Sequence, residues 1–347
     1  MLSSGSQTCA TRRCACRCSL RCAERPSRVV ADTPILPFMH AQRTAGVICV
    51  QAQHGIIMGV MDHHVAISWV NQWALCGLAE AAYAARELGR AEDAAVFAAE
   101  HSGLKMALEE YIARTPEYFD WERTVNSVLW PSRVWEDDPE RIVAGFDAWW
   151  AKYRGDAENY HPEPYWLYFE LAQAHNALLL GRRERAWRTI NYRMQHQDLP
   201  GLYGWREGGD EVGTENALQG VTLINQLRGC QRFDSIMPHG WSQAEMWLLQ
   251  RAILVGEWQG GLLLFAGVPE EWLIPDARVA FRDFPTWYGP AAAELVVNPD
   301  GKSASGTLTG VAEATPVTVA LPHVKVQGAL RDGGVSLRVP LWPSGSR

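Results

Sequence analysis

Residues 197–240 gather acids and aromatic rings in a stretch that follows neither a helical nor a strand period. Glu207, Asp210, Glu211, Glu215 and Asp234 lie inside it, Tyr203 and Trp205 stand near its start, and His239 and Trp241 mark its end. Carboxylates beside indole and phenol rings are what sugar chemistry requires. General acid/base work on a glycosidic bond needs paired acids, and the apolar face of a sugar ring stacks on aromatics. A loop this long inside a compact domain is usually functional or disordered. The plain alternative is a surface loop of solvated acids.

Within the stretch, Glu207 follows the Tyr203-x-Trp205 pair and precedes two glycines that would let backbone approach a ligand closely. Asp234 sits just before the Pro-His-Gly-Trp corner at 238–241 and is a second catalytic candidate. His239 and Trp241 open a strongly apolar helical pattern, and a helix N-terminus favours an anionic or hydroxyl-rich ligand. His239 or Ser242 would serve equally as an N-terminal cap. Glu245, one turn in, is a third catalytic candidate, a buried acid of raised pKa if it faces inward, or the partner of Arg251 or another arginine if it does not. Tyr165, Trp166, Tyr168 and Glu170 begin an earlier helix and suit a sugar subsite or core packing. Gln173 and His175 on that helix are read as bridges between helices.

Other chemistries leave no trace. There is no glycine-rich phosphate loop, no G-x-S-x-G elbow and no H-E-x-x-H pair, so no cofactor and no metal is expected. Five of the eight cysteines fall between Cys9 and Cys22, but their C-x-C-x-C spacing lacks the C-x-x-C pairs and nearby His of common zinc sites.

The elements that must position these residues are mostly helical. The chain has 347 residues, is 47% apolar and carries sixteen tryptophans, enough for a substantial core. Net charge is −7; the first 28 residues carry +5, which leaves −12 for the remainder and argues against a nucleic-acid partner. No apolar run reaches the roughly 18 residues of a membrane span, and the N-terminus lacks the apolar core of a signal peptide, so the reading is cytoplasmic. Residues 1–61 read as a disordered or non-native arm. Helical spacing then predicts helices over about 65–88, 91–113, 139–153, 164–180, 183–196 and 241–257. The phrases LGRAEDA (88–94) and LGRRERA (180–186) repeat at the same kind of turn. From 259 to 347 the period changes to two, and ARVAFRDF, AELVVNP, SGTLTG, TPVTVAL, VKVQGAL and GVSLRVPL read as strands of a small β module.

Four phrases carry a family resemblance over residues 65–295: SWVNQWALCGLAEAA, PYWLYFELAQAHNALLLGRRERAW, HQDLPGLYGWREG, and MPHGWSQAEMWLLQ followed by GVPEEWL. In this order they resemble the C-terminal half of a six-hairpin glycosidase of the glucoamylase-like and rhamnosidase-like group. The resemblance implies a mainly α chain: an incomplete (α/α)6 toroid at 62–258 followed by a small β-sandwich-like module at 259–347. It also implies an inverting glycoside hydrolase acting on oligosaccharides, with the general base on the loop before the last helix, where Glu207 lies. Since a full ring has twelve helices and six are read here, the general acid would be missing, and the chain would be truncated or half of a dimer. The alternative is a non-catalytic helical module that binds glycan or assembles with another protein.

Overall fold

The computed structural model describes residues 35–44, 54–57, 69–115, 128–155, 160, 167–197, 204–205, 207, 239–329 and 335–341. Among them are seven helices: α1 (Ile35–Thr44), α2 (Trp69–Glu87), α3 (Ala91–Arg114), α4 (Glu140–Tyr153), α5 (Leu167–Leu179), α6 (Arg183–Gln195) and α7 (Gly240–Leu254). Eight strands follow: β1 (Val255–Trp258), β2 (Gly261–Leu264), β3 (Arg278–Thr286), β4 (Gly289–Val297), β5 (Ser303–Thr309), β6 (Pro316–Leu321), β7 (Val324–Ala329) and β8 (Val335–Pro340).

The chain divides into two compact units, Met1–Ala66 with Gly77–Tyr111, and Ile67–Cys76 with Ile112–Arg347. The boundary falls inside the first helical hairpin, and the later helices share one unit with both sheets. In the first unit Arg43 of α1 donates to the Gly55 carbonyl at 3.0 Å and pairs with the Glu100 carboxylate of α3. The stretch expected to be an unstructured arm therefore contains a helix fastened by a half-buried ion pair.

The repeated phrase in the sequence builds the same turn twice. Gly89 and Gly181 adopt left-handed backbone (φ 71° and 76°), which glycine reaches without a Cβ clash. At each, the glycine N–H bonds back to the third carbonyl before it (Arg86, Leu178). The following arginine N–H bonds to the fifth before it (Ala85, Ala177), as in a Schellman stop.

In the second unit, α5 is buried along almost its whole length, with every side chain from Leu167 to Leu178 withdrawn from solvent. It packs against α6 and α7, and Ala177 joins Phe146, Trp149 and Trp150 of α4 in one apolar cluster. The strands form two four-stranded sheets, ordered β1-β2-β6-β7 and β3-β4-β5-β8. Alternate side chains of both sheets, among them Leu262, Leu264, Val317 and Val319 from one and Phe281, Leu295, Val297 and Leu308 from the other, meet in a single core. Strand β2 is buried on both faces, so it reads as a continuous apolar run.

The expectation of a mainly α chain built as an incomplete (α/α)6 toroid is overturned. Two four-stranded sheets stand beside seven helices, giving a mixed α and β chain with a β-sandwich-like C-terminal part. The last helix was also expected to run to 257, but Val255 is at once its C-cap and the first residue of β1. The apolar run ILVGEW continues a helical pattern equally well; it becomes a strand because Val255–Trp258 pairs antiparallel with Gly261–Leu264.

Gly267 marks the tightest join of helix to sheet. A Cβ there would lie 2.7 Å from the backbone of Ile253, while the Gly267 carbonyl accepts the Trp187 indole N–H at 2.6 Å. Gly267→Ala is expected to lower unfolding free energy by roughly 1–3 kcal/mol through overpacking, as read by urea denaturation; an unchanged midpoint would mean this contact yields freely.

Candidate functional site

The site is assembled around the N-terminus of α7. His239 is the N-cap, in extended backbone (φ −93°, ψ 116°), and its Nδ1 accepts the Ser242 N–H at 3.3 Å. The capping role open to His239 is thus the one it fills, and the Ser242 hydroxyl lies 3.0 Å from the same nitrogen. Burial lowers the His239 imidazole below its ordinary value, and the nearby Glu207 carboxylate partly opposes this.

Trp205 holds the incoming loop to this corner. Its ring is buried, its indole N–H donates to the Arg193 carbonyl at 3.1 Å, and its own carbonyl accepts the His239 N–H at 3.0 Å and the Gln243 amide at 3.4 Å. The residue expected to stack on sugar is therefore a structural pin. Two residues on, the Glu207 carbonyl accepts the N–H of Leu167 at 3.1 Å, which ties the loop to the first residue of α5 and leaves the Glu207 side chain half-buried.

Trp241 keeps 38% of its surface exposed. Its ring stacks on Tyr168 at 4.3 Å and meets the edge of Phe169 at 6.1 Å. Its indole N–H donates to Glu245 Oε1 at 3.1 Å, and the Trp130 indole donates to Glu245 Oε2 at 3.3 Å. Glu245 is only 4% exposed; burial raises its carboxyl above the ordinary value of 4.5, and the two indole bonds offset part of that rise. Of the two placements open to Glu245, the structure takes the inward one. Arg251 instead forms a two-pronged pair with Glu257 at 2.9 and 3.1 Å.

Trp130 is positioned by a residue that the sequence reading passed over. Asn176 Oδ1 accepts the N–H groups of Leu129 and Trp130, each at 2.8 Å, and its amide donates to the carbonyls of Trp130 (3.2 Å) and Ala172 (2.7 Å). A buried Asn with this bonding pattern organises a neighbouring loop; in the sequence it looks like any helical Asn. His175, one residue earlier, stacks on Trp130 at 4.5 Å, and burial drives its pKa down to about 3, with the Arg251 charge acting in the same direction. It stays neutral. Gln173 bridges as expected, accepting from Arg154 at 2.7 Å.

Glu170 is engaged within the protein. It is fully buried, accepts from Arg193 Nε at 2.6 Å and accepts a hydrogen bond from the Tyr160 hydroxyl on its other oxygen. Tyr203, Asp234, Tyr165 and Trp166, like Asp210, Glu211 and Glu215, lie outside the described residues. The structure thus brings together Glu207, His239, Trp241 and Glu245, adds Tyr168 and Trp130, and assigns Trp205 and Glu170 to the frame. Among the described residues no group of three or more His, Cys, Asp or Glu side chains could hold a metal ion, and no helix is long and apolar enough to cross a membrane.

The chain matches no protein-family model, no curated protein and no solved structure.

Two expectations follow from the buried acids. Because the Glu245 pKa is raised in the folded state, the fold binds more protons than the unfolded chain between 4.5 and that raised value. The parent protein therefore loses stability relative to Glu245→Gln as pH rises through that window. Urea unfolding of both at pH 4 and pH 7 measures this, and a pH-independent difference would contradict the burial. Arg193→Met strands the Glu170 charge and is expected to cost about 3–5 kcal/mol, whereas Glu170→Leu combined with Arg193→Met recovers part of the loss. Equal destabilisation by the single and double variants would contradict an ion-pair role.

Proposed function

We propose that this is a carbohydrate-active protein whose site at the N-terminus of α7 receives a sugar ring of an oligosaccharide, in the manner of the glycoside hydrolases its sequence resembles. One observation carries the reading: a half-exposed Trp241 whose ring is fixed from behind by Tyr168 and whose N–H is locked onto the buried Glu245. Such a ring offers a rigid apolar surface at little entropic cost, which is what stacking on a sugar requires. The helix N-terminus and His239 beside it suit hydroxyl groups.

Glu207 is the general base in this reading. It lies on the loop that enters the corner and is near enough to His239 to influence its charge. Glu245, both oxygens engaged by indoles, acts first as a positioning residue for Trp241 and Trp130. Inversion requires a second carboxylate about 6.5–9.5 Å away with water between. Carboxylates of this loop serve one side only, so that acid would come from a partner chain.

A second reading rests on the same Glu245 bonds. With that acid committed to two indoles, the site would bind glycan without cleaving it.

Calorimetry with oligosaccharides and hydrolysis of a panel of aryl glycosides separate the two. Trp241→Ala is expected to weaken binding roughly 3- to 10-fold beyond the loss of buried area, and Glu207→Gln to lower hydrolysis about 10²- to 10⁴-fold with little change in affinity. Binding without turnover supports the glycan-binding reading, and affinity unaltered by Trp241→Ala rules out this corner as the sugar site.

A further inference from the structure

Where α5 turns into α6 lies a cleft of about 330 Å³, at the small end of the roughly 300–1,000 Å³ range of small-molecule sites. Val143, Leu178, Leu180, Trp258 and Leu263 form its apolar walls, and three cations line it: Arg182, Arg183 and Lys325. The only acid among the lining residues is Glu140.

The three cations differ in how far they are already neutralised. Arg182 donates to Asp147 at 2.9 Å, and Arg185 pairs with the same carboxylate. Although burial acts to raise the Asp147 carboxyl, these two bonds outweigh it and hold it low, so that acid is fully committed. Arg183 has no such partner among the described residues. Its guanidinium reaches only the Val268 carbonyl at 3.4 Å, and loss of water without a matching counter-charge lowers its pKa, a change that neighbouring Glu184 only partly opposes. Lys325 projects from β7 and is exposed. The N-terminus of α6 opens beside them, with no side-chain cap at Arg182.

The other copy of this turn shows what the arginines change. In LGRAEDA the arginine after the glycine, Arg90, pairs with Asp93, and the first helical turn carries Glu92 and Asp93. In LGRRERA the backbone stop is the same, but the Ala-Glu-Asp of the first copy is replaced by Arg-Glu-Arg. A turn that carries a net charge of −1 in one hairpin carries +2 in the other, and it is the cationic one that lines this cleft.

We propose that the cleft is a second ligand site, which takes a compact organic anion with its oxyanion head between Arg183 and Lys325 and its apolar body against Trp258 and Leu263. Phosphate and carboxylate share the required chemistry: oxygens that accept from a guanidinium and an ammonium. The site uses none of the residues around α7 His239 and does not depend on the sugar-binding reading.

The test is calorimetric titration of the full chain with phenyl phosphate, benzoate and the uncharged benzyl alcohol. At least one anion is expected to bind, the alcohol at least about tenfold more weakly, since bonds to charged groups are worth that much, and affinity is expected to fall with salt. Preference between phenyl phosphate and benzoate identifies the head group. Arg183→Gln is expected to weaken the anion roughly tenfold or more and to leave any oligosaccharide binding unchanged. Because Arg183 is partly buried, Lys325→Gln on the exposed strand serves as a second variant, with a several-fold loss expected. Failure of both anions to bind at millimolar concentration, equal binding of the alcohol, or full affinity in Lys325→Gln would overturn the proposal.

Discussion

A helix buried on every side cannot leave its polar side chains to water, and α5 carries four of them: Glu170, Gln173, His175 and Asn176. Each is engaged by a different part of the chain. Glu170 takes Arg193 from α6 and the hydroxyl of Tyr160, Gln173 takes Arg154 beyond the end of α4, His175 lies flat on Trp130, and Asn176 brackets the backbone of residues 129–130. Glu170, Gln173 and Asn176 are held by hydrogen bonds, and removing a partner would leave a buried polar group unsatisfied, which costs far more than the bond contributes net; His175 is held by stacking, its Nδ1 making no hydrogen bond among the described residues. The neighbouring elements are therefore held in one arrangement about α5, and the candidate site inherits that arrangement.

The chain of dependence is short. Asn176 places Trp130, Trp130 and Trp241 together hold Glu245, and Tyr168 of α5 supports the ring of Trp241. From the other direction, Arg193, already fixed by Glu170, accepts the indole of Trp205 on its carbonyl, and Trp205 in turn receives the N-cap His239. Both routes lead back to α5. A rigid aromatic surface at the mouth of α7 thus rests on buried polar pairs that never touch a ligand, which is how a precise site is usually supported.

The sheets complete the frame from below. Helix α7 passes into β1 without a loop, and the turn after β2 returns to the helix through the N–H of Gly267, which donates to the Ile253 carbonyl at 3.0 Å. Glu136 accepts from the Gln259 backbone at the β1–β2 turn, so the segment bearing Trp130 is fastened to the sheet as well. The helices from α4 onward share one compact unit with both sheets, and β2 is buried on both faces.

Local chemistry was enough for the sequence by itself to determine a good deal. The two Gly-Arg turns, the bounds of α3, α4 and α6 to within a residue, and the six strands from Arg278 onward follow from periodicity and from the backbone freedom of glycine, which act over a few residues. The aromatic and acidic character of the loop before α7 was equally legible, and so was the inward placement of Glu245 as one of two options. Tertiary structure alone decided the rest. Val255–Trp258 became a strand only through pairing with β2; Trp205 turned into the core because Arg193 offered a carbonyl; Glu170 was claimed by an arginine 23 residues away. The expected ring of helices gave way to a mixed architecture because counting helical periods says nothing about which faces meet, and here the apolar faces met two sheets. Those outcomes depend on partners distant in the chain, and a one-dimensional pattern carries no record of such distances.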